Sequence, residues 1–223
     1  MYRLRENSTF DISYFSGGLP AIYNKEKIMN TLVDNYFQGL KEVYKEKKGD
    51  DIKFITHATE DEIDLIKKNY PGVPNEFVDF LKRTDGKISE ENYAYRPTMF
   101  SIHEGNLTYH MCSINKMLEH AQYKDQTLAE LYPWFLEEDV DDCESATPEM
   151  DLYIPIGDRL LFASCDYSEL YIDLKPSPLG KVGQIIRYLH DPDSYSFVCN
   201  SFSELLKESI DTNFEYFFDE HEL

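Results

Sequence analysis

The feature that most constrains the fold is a series of short apolar runs in the last third of the chain. The runs cover residues 152–155, 160–165, 170–174, 184–189 and 197–199. Turn-forming residues, such as Gly157-Asp158 and Asp191-Pro192-Asp193, separate one run from the next. Runs of this length are typical of β-strands, whereas a helix that buries one face needs a longer periodic stretch. The spacing therefore predicts an antiparallel meander, in which each strand pairs with the next through a short turn.

Helix start and stop signals predict helices on both sides of this strand series. Thr59 with Glu62, and Ser201 with Glu204, have the spacing of a capping box, in which each side chain bonds the backbone N–H of the other residue. Before them, apolar residues recur every three or four positions over residues 24–48, which predicts an amphipathic helix. We expect this first helix to pack on the core, although it could instead face a partner.

The middle of the chain is less regular. Short helices are predicted at residues 74–86, 113–122 and 126–136. Residues 87–112 predict one or two strands with a turn at Glu104-Gly105-Asn106. Residues 137–151 carry eight acidic side chains and no basic one, so repulsion between like charges favours a loop. Helices and antiparallel strands in separate parts of the chain indicate an α+β fold.

Charge is distributed unevenly along the chain. The whole sequence has 22 basic and 42 acidic side chains, a net charge of −20. Residues 1–58 hold nine basic and eight acidic side chains, whereas residues 59–223 hold thirteen basic and thirty-four acidic ones. A field of this sign repels phosphate groups, so we expect neither nucleic acid nor an anionic membrane as a partner. We expect the carboxylates beyond residue 58 to form one coherent negative face for a basic protein, although solubility alone would also explain the charge.

Two groups of aromatic residues are candidate binding patches. Trp134, the only tryptophan, precedes a run of carboxylates, and an aromatic anchor beside fixed negative charge suits a basic protein. The carboxylates of this run are Glu137, Glu138, Asp139, Asp141, Asp142 and Glu144. Tyr93 and Tyr95, next to Arg96, form the second candidate patch. Trp134 could instead complete the buried face of the helix predicted at 126–136, and the acids could form a solvated loop without a partner.

The sequence lacks the motifs of the common metal and catalytic sites. None of its six histidines forms His-Glu-x-x-His or pairs with a cysteine at zinc-finger spacing. The acidic run that starts at Asp139 has Glu144 where a calcium loop of the EF-hand type needs glycine. Ser164 is not in a Gly-x-Ser-x-Gly turn, and Gly17-Gly18 is not a phosphate-binding loop. We therefore expect no metal, no cofactor and no catalytic residues, and a carboxylate-dependent hydrolase is the least favoured alternative.

The cysteines and the apolar segments indicate the cellular compartment. The four cysteines, Cys112, Cys143, Cys165 and Cys199, are widely spaced and form no Cys-x-x-Cys pair, which favours reduced thiols in or near the core. The N-terminus shows no apolar run of a secretory signal, and no stretch approaches the ~18 apolar residues that span a bilayer. We expect a cytoplasmic protein.

Three stretches of sequence follow one another in a characteristic order. Residues 59–86 contain an acidic-capped helix, the break Tyr-Pro-Gly-Val-Pro and a short helix that ends in Asp-Gly. Residues 154–174 contain Ile-Pro-Ile-Gly-Asp, Leu-Leu-Phe and Leu-Tyr-Ile-Asp-Leu. Residues 180–206 contain the most specific pair of motifs, Gly-Lys-Val-Gly-Gln-Ile-Ile and Ser-Phe-Ser-Glu-Leu-Leu. In this order, the set resembles the SUKH superfamily over roughly residues 59–212.

The resemblance implies an α+β fold with one curved antiparallel sheet flanked by helices. We accordingly expect an N-terminal extension with an amphipathic helix at 1–58, a SUKH-like domain at 59–218 and an acidic tail at 219–223. Two positions depart from the usual pattern, since Val73 replaces the family's leucine and Asp85 its asparagine.

The resemblance also implies a role in protein binding. Many bacterial members resemble immunity proteins, which neutralise a polymorphic toxin made by the same cell, and fungal members resemble cell-wall and signalling regulators that bind protein partners. The superfamily is not known as a class of enzymes. We expect an immunity protein that binds a cognate toxin, of the basic nuclease type, with a regulatory scaffold of the fungal type as the alternative. The sequence leaves the oligomeric state open.

Overall fold

A six-stranded sheet forms the centre of the molecule. The computed structural model describes residues 31–47, 56–86, 97–103, 107–137 and 145–218. The strands of the described residues are β1 (Thr98–Ile102), β2 (Leu107–Met111), β3 (Leu160–Ser164), β4 (Ser168–Asp173), β5 (Gln184–Leu189) and β6 (Ser194–Cys199). They pair antiparallel in chain order, and the sheet curls into a half-barrel. The meander predicted for the last third of the chain is confirmed by β3 to β6, and β1 and β2 extend it.

Six α-helices accompany the sheet in the described part of the chain, which confirms the α+β class. They are α1 (Leu32–Lys47), α2 (Glu60–Asn69), α3 (Asn75–Leu81), α4 (Ile114–His120), α5 (Leu128–Leu131) and α6 (Phe202–Asp211). Short 3-10 helices lie at Pro133–Leu136, Ile156–Asp158 and Glu215–Phe217. The turn predicted at Glu104-Gly105-Asn106 lies outside the described residues.

The main core lies between one face of the sheet and the helices α3 and α6. Phe202 of α6 packs edge-on against Phe77 of α3 and Phe162 of β3, with ring centroids 5.0 and 5.6 Å apart. Phe100 of β1 lies 5.2 Å from Phe162. All four rings are fully buried, and edge-to-face contacts of this kind add to the free energy gained from burial. We call the face that carries Phe100 and Phe162 the helix face of the sheet.

Helix α1 completes this core rather than facing outward. Its apolar positions Tyr36 and Tyr44 are buried, and their hydroxyl groups donate hydrogen bonds to the backbone carbonyls of Met99 and Thr98 in the edge strand β1. The helix packs on α6. The prediction that this helix packs on the core is confirmed, and residues 24–30 and 48 of the predicted range lie outside the described part of the chain.

The two predicted capping boxes have different outcomes. At Thr59, both reciprocal hydrogen bonds with Glu62 are present, so that prediction is confirmed. At Ser201, the hydroxyl group accepts from the Glu204 N–H at 3.1 Å, but the Glu204 carboxylate accepts from the Asn200 N–H instead of the Ser201 N–H. The second box is therefore formed on one side only, because the extended backbone before α6 brings a different N–H to the carboxylate.

Residues 152–155, which we predicted as a strand, form turns instead. The guanidinium group of the buried Arg159 donates hydrogen bonds to the carbonyls of Asp151 and Ile154. An isolated bridge joins Pro155 to Thr127, and no described strand continues it. The strand prediction was wrong here because other groups take the backbone carbonyls. The Ile154 carbonyl accepts from the buried Arg159 side chain, and the Leu152 carbonyl accepts from the Ala129 N–H.

The helix predicted at 126–136 is broken in two. Helix α5 ends at Leu131, Tyr132 has φ −127° and ψ 67°, and a 3-10 helix starts at Pro133. Proline has no N–H to donate and disfavours the α conformation in the residue before it. After the break, the Phe135 ring lies 6.3 Å from that of Tyr195 in β6.

Candidate partner-binding surface

One row of side chains crosses the sheet on the face opposite the helix face. The row consists of Thr98, His110, Ser164, Glu169, Tyr188 and Tyr195, one from each strand, each paired with the next in the ladder. His110 follows Tyr109, the partner of Phe100, so the alternation of side chains along β2 turns the row away from the helix face. All members except Tyr195 are partly exposed. We call these six residues the transverse row.

Aromatic side chains gather at the β5–β6 end of the transverse row. The Tyr132 ring stacks on Phe135 at 5.0 Å and meets Trp134 edge-on at 5.4 Å. Phe135 lies 6.3 Å from Tyr195, and Tyr195 lies 4.9 Å from Tyr188. We call these five residues the aromatic cluster. Tyr195 is buried beneath it, whereas Tyr188 and Trp134 keep part of their surface exposed, which is the arrangement of an anchor for a binding partner.

Two carboxylates flank Tyr188 within this surface. Glu169 is its direct partner across β4 and β5, and the Glu169 carboxylate accepts a hydrogen bond from the Tyr171 hydroxyl group. Asp193 Oδ1 accepts from the Tyr188 hydroxyl group at 2.5 Å and lies 2.9 Å from His190 Nδ1. The Glu169 and Asp193 side chains keep 30% and 26% of their surface exposed, so solvent or a partner can reach both.

The protonation of this surface follows from its burial and its hydrogen bonds. Burial raises the pKa of Tyr188, and the hydrogen bond to Asp193 raises it further, so the hydroxyl group stays protonated. The same carboxylate raises the pKa of His190 above its usual value of 6.5, because it accepts a hydrogen bond from the charged ring. The surface therefore has an imidazole beside its carboxylates, and the charge of that imidazole varies near neutral pH.

The residue Trp134, proposed as an anchor, belongs to this surface. It is partly buried, and within the described residues its indole Nε1 is buried without a hydrogen-bond partner. Glu137, the first carboxylate of the predicted acidic run, is exposed three residues further on. The Trp134 ring packs on Tyr132 and keeps part of its surface exposed, so its role as an anchor stays a prediction.

The rest of the predicted binding residues lie outside the described part of the chain. These are Tyr93, Tyr95, Glu138, Asp139, Asp141, Asp142 and Glu144. The two residues that flank the acidic run are described, however, and both lie at the aromatic cluster. Glu137 follows the 3-10 helix that carries Trp134, and the Ser145 carbonyl accepts a hydrogen bond from the Tyr195 N–H at 2.8 Å.

Exposed carboxylates are not confined to one face of the molecule. Besides those near the aromatic cluster, Glu60, Asp61 and Asp64 are exposed on α2, and Glu208 and Asp211 are exposed on α6, which covers the helix face. The expectation of a single coherent negative face was therefore wrong. Both capping and solubility place acids on helix surfaces, so the count of acids alone could not locate a site.

Other site chemistries find no further support in the described ranges. Among these residues, no group of three or more histidine, cysteine or acidic side chains could hold a metal ion. Cys112, Cys165 and Cys199 are free thiols, of which Cys112 and Cys199 are buried, as the sequence predicted. No helix in the described residues is long and apolar enough to cross a membrane.

Sequence reasoning missed the members of the site that come from the strands. Glu169 meets Tyr188 only through the strand register, whereas Asp193 reaches Tyr188 across the turn that follows β5. The tyrosines of β5 and β6 were a weak signal in the sequence, since tyrosine is enriched in strands generally. Without the register, that signal could not be assigned to a common surface.

The comparison with known families agrees with the fold. Residues 57–208 match the SMI1 / KNR4 family (SUKH-1). Among curated proteins, no sequence matches the chain. The matched region contains the whole sheet, the helices α2 to α5, most of α6, the transverse row and the aromatic cluster, and it leaves out α1. Because the match extends over about two thirds of the sequence, the chain belongs to the SMI1/KNR4 (SUKH-1) family.

Proposed function

We propose that this chain is an immunity protein, which binds a cognate polymorphic toxin and blocks it by protein–protein contact. The toxin is of the basic nuclease type, because the immunity protein carries a net charge of −20 and a nuclease needs a basic groove for phosphate groups. Membership of the SUKH-1 family supports the role, since proteins of this family are generally immunity proteins without enzymatic activity. The protein would act in the cytoplasm, beside the toxin that it neutralises.

The observation that carries the proposal is the aromatic cluster with carboxylates around it. Tyr188 and Trp134 offer large, partly exposed rings on rigid elements, and such residues dominate the binding energy of many interfaces. Glu137, Glu169 and Asp193 surround the rings, so the site combines an apolar centre with negative charge. Carboxylates of this kind can occupy positions that the phosphate groups of a substrate would take in a basic groove.

The acidic run is also part of the interface that we propose. Residues 138–144 contain five carboxylates. The described residues on either side, Glu137 and Ser145, lie at the aromatic cluster. The interface that we propose therefore consists of the aromatic cluster, Glu169, Asp193 and residues 137–144.

The direct test is co-expression with the toxin domain encoded beside this chain. We expect growth of the host to be restored and a stable complex to elute on size-exclusion chromatography. Trp134→Ala removes the anchor and should weaken the complex by tenfold or more, corresponding to ~1.4 kcal/mol or more. Glu137→Lys reverses an exposed charge at the site and should weaken it as well.

Matched controls separate this interface from general effects. Leu65→Ala shortens an exposed apolar side chain on α2, and Glu208→Lys makes the same charge reversal on α6. Both should leave protection intact. Loss of growth protection by the unchanged protein, with no complex at all, would refute the proposed function. If Trp134→Ala and Glu137→Lys both leave the affinity of the complex unchanged, the interface lies on another part of the surface.

A further inference from the structure

We propose that the surface between Glu169 and Asp193, over the ring of Tyr188, is a binding site for an arginine side chain of the partner. The identity of that partner as a toxin rests on the proposed function. The recognition of a guanidinium group rests on the geometry of the site alone, and it can be tested without the partner.

The two carboxylates each keep an oxygen available. Asp193 Oδ1 takes the hydrogen bonds from Tyr188 and His190, and within the described residues none reaches Asp193 Oδ2. Glu169 Oε2 accepts from Tyr171, whereas Glu169 Oε1 has only a long contact of 3.9 Å with Lys116 Nζ. Both carboxylates are partly shielded from water, which strengthens their attraction for a cation.

The ring between the carboxylates is held in place. The Tyr188 hydroxyl group is fixed by Asp193, and one side of its ring packs against Tyr195 at a centroid distance of 4.9 Å. Glu169 is the direct partner of Tyr188 in the ladder, on the neighbouring strand β4. A cation over this ring would meet a rigid aromatic surface with Asp193 at its hydroxyl end and Glu169 on the neighbouring strand, so little conformational entropy is lost on binding.

A guanidinium group suits this arrangement better than an ammonium group. It is planar, stacks on an aromatic ring, and presents donors in several directions that can reach separate carboxylates. The ammonium group of lysine is a compact, strongly hydrated charge, which would have to shed more water and could not stack in the same way. The site should therefore distinguish arginine from lysine at equal charge.

The cations already near the site do not block it. The side chains of Lys116 and His190 keep 46% and 65% of their surface exposed. Exposed ion pairs contribute little to stability, so both side chains can move away from the carboxylates at small cost. Lys116 also has a second partner, Ser164 Oγ at 3.0 Å, to which it can turn.

The test uses two probes of equal charge, a tri-arginine and a tri-lysine peptide, both acetylated and amidated. Affinity is measured by calorimetry with the full chain at low salt. The indole N–H of Trp134, the only tryptophan of the chain, supplies one NMR signal beside the site. We expect the arginine peptide to bind about fivefold or more tightly than the lysine peptide and to shift the indole signal.

Variants locate the bound peptide. Asp193→Asn and Glu169→Gln each remove one charge with almost no change of shape, and each should weaken the arginine peptide about fivefold to tenfold. Glu208→Gln on α6 removes the same charge from the opposite side of the sheet and should change affinity less than about twofold. Thermal unfolding of each variant shows that the fold is kept, and two independent site variants guard against the failure of one.

The outcomes separate this inference from the proposed function. Equal affinity for the two peptides would overturn the arginine site. So would site variants that bind the arginine peptide as tightly as Glu208→Gln does. In either case the co-expression experiment still tests the toxin complex independently. Selective binding of the arginine peptide together with the absence of any toxin complex would support the site and refute the role as an immunity protein.

Discussion

Arg159 has the largest side chain that is fully buried in the described part of the chain. Its Nε lies 3.7 Å from Asp173 Oδ1, and its other nitrogens donate to the carbonyls of Asp151 and Ile154. Burial raises the pKa of Asp173 despite the neighbouring positive charge. The loss of hydration thus opposes the attraction within the pair, so the pair contributes less to stability than its burial suggests. Its clearer effect is to fix the turns at 152–155.

Removal of one partner of this pair should be costly. Asp173→Ala leaves the Arg159 charge buried without its counter-ion, and we expect a loss of about 3–5 kcal/mol in the free energy of unfolding. Arg159→Ala should cost a similar amount. The double variant should lose at least about 1 kcal/mol less than the sum of the two, as measured by urea denaturation. Strict additivity would show that the two charges do not interact.

His120 couples the stability of the fold to pH. The ring belongs to the last residue of α4 and is buried against the sheet, with Nε2 3.2 Å from the Ile156 carbonyl and its centroid 5.3 Å from that of Tyr171. Burial lowers its pKa below the usual 6.5, and the nearby charges of Glu169, Lys116 and Lys124 have smaller effects. The folded state therefore favours the neutral ring.

This preference predicts a specific loss of stability in acid. The pKa of the folded state is below that of the unfolded chain, so the contribution is complete above pH 6.5 and is lost as pH falls toward the folded value. His120→Gln keeps an N–H donor but cannot titrate. We expect the stability of the wild type relative to this variant to fall between pH 7.5 and pH 5, as measured by chemical denaturation. A difference that stays constant over this range would contradict the prediction.

At the scale of elements, α1 shows how tertiary contacts can reverse a local preference. Gly39 faces the aromatic ring of Phe214, which is buried beyond the end of α6. A methyl group at Gly39 would overlap that ring. Glycine is the less favourable residue in a helix interior, by ~1 kcal/mol relative to alanine, so its presence here reflects the close approach of the two segments.

Gly39→Ala should therefore destabilise the protein, although the same change would stabilise an isolated helix. Overpacking of a rigid buried ring costs about 1–3 kcal/mol, which outweighs the gain in helix propensity. We expect a net loss of ~1 kcal/mol in the free energy of unfolding. Gln38→Ala, at the exposed neighbouring position, is the control and should be close to neutral. A stabilised Gly39→Ala variant would show that α1 is packed more loosely than the structure indicates.

At the scale of the whole molecule, we expect the negative charge and the proposed binding surface to have different roles. Carboxylates are exposed on α2 and α6 as well as near the aromatic cluster, so the net charge of −20 acts as a long-range field rather than as one patch. Such a field speeds the encounter with a basic partner. Close contacts at the aromatic cluster would then determine how long the complex lasts.

This division predicts how salt and charge variants act on the rates. Raising the salt concentration from 50 to 500 mM should slow association with the basic toxin domain by about tenfold or more, because the Debye length shrinks. Glu208→Gln should slow association slightly and leave the dissociation rate unchanged. Asp193→Asn should mainly speed dissociation, as measured by surface plasmon resonance. An association rate that does not change with salt concentration would show that electrostatic attraction does not contribute to the encounter with the toxin.

The sequence by itself determined the elements whose signals are local. The cap at Thr59, the period of α1, and the apolar runs and turns of β3 to β6 each depend on a few neighbouring residues, so they could be predicted. The family followed from the order of these motifs, whereas the assignment of Trp134 and Glu137 to a binding surface stays a prediction. Two local predictions were wrong. At residues 152–155 the buried Arg159 side chain takes backbone hydrogen bonds, and at the second capping box the Asn200 N–H replaces the Ser201 N–H.

Only the tertiary structure decided which side chains meet. Glu169, Tyr188 and Asp193 come together through the register of β4 and β5 and the turn that follows, and a shift of one residue would turn Tyr188 to the other face. The register depends on the fit of the whole core against the sheet, including Arg159 and the rings around Phe202. Short stretches of sequence are enough to predict the strands. They do not predict how the core packs against the sheet, because that packing joins residues far apart in the chain.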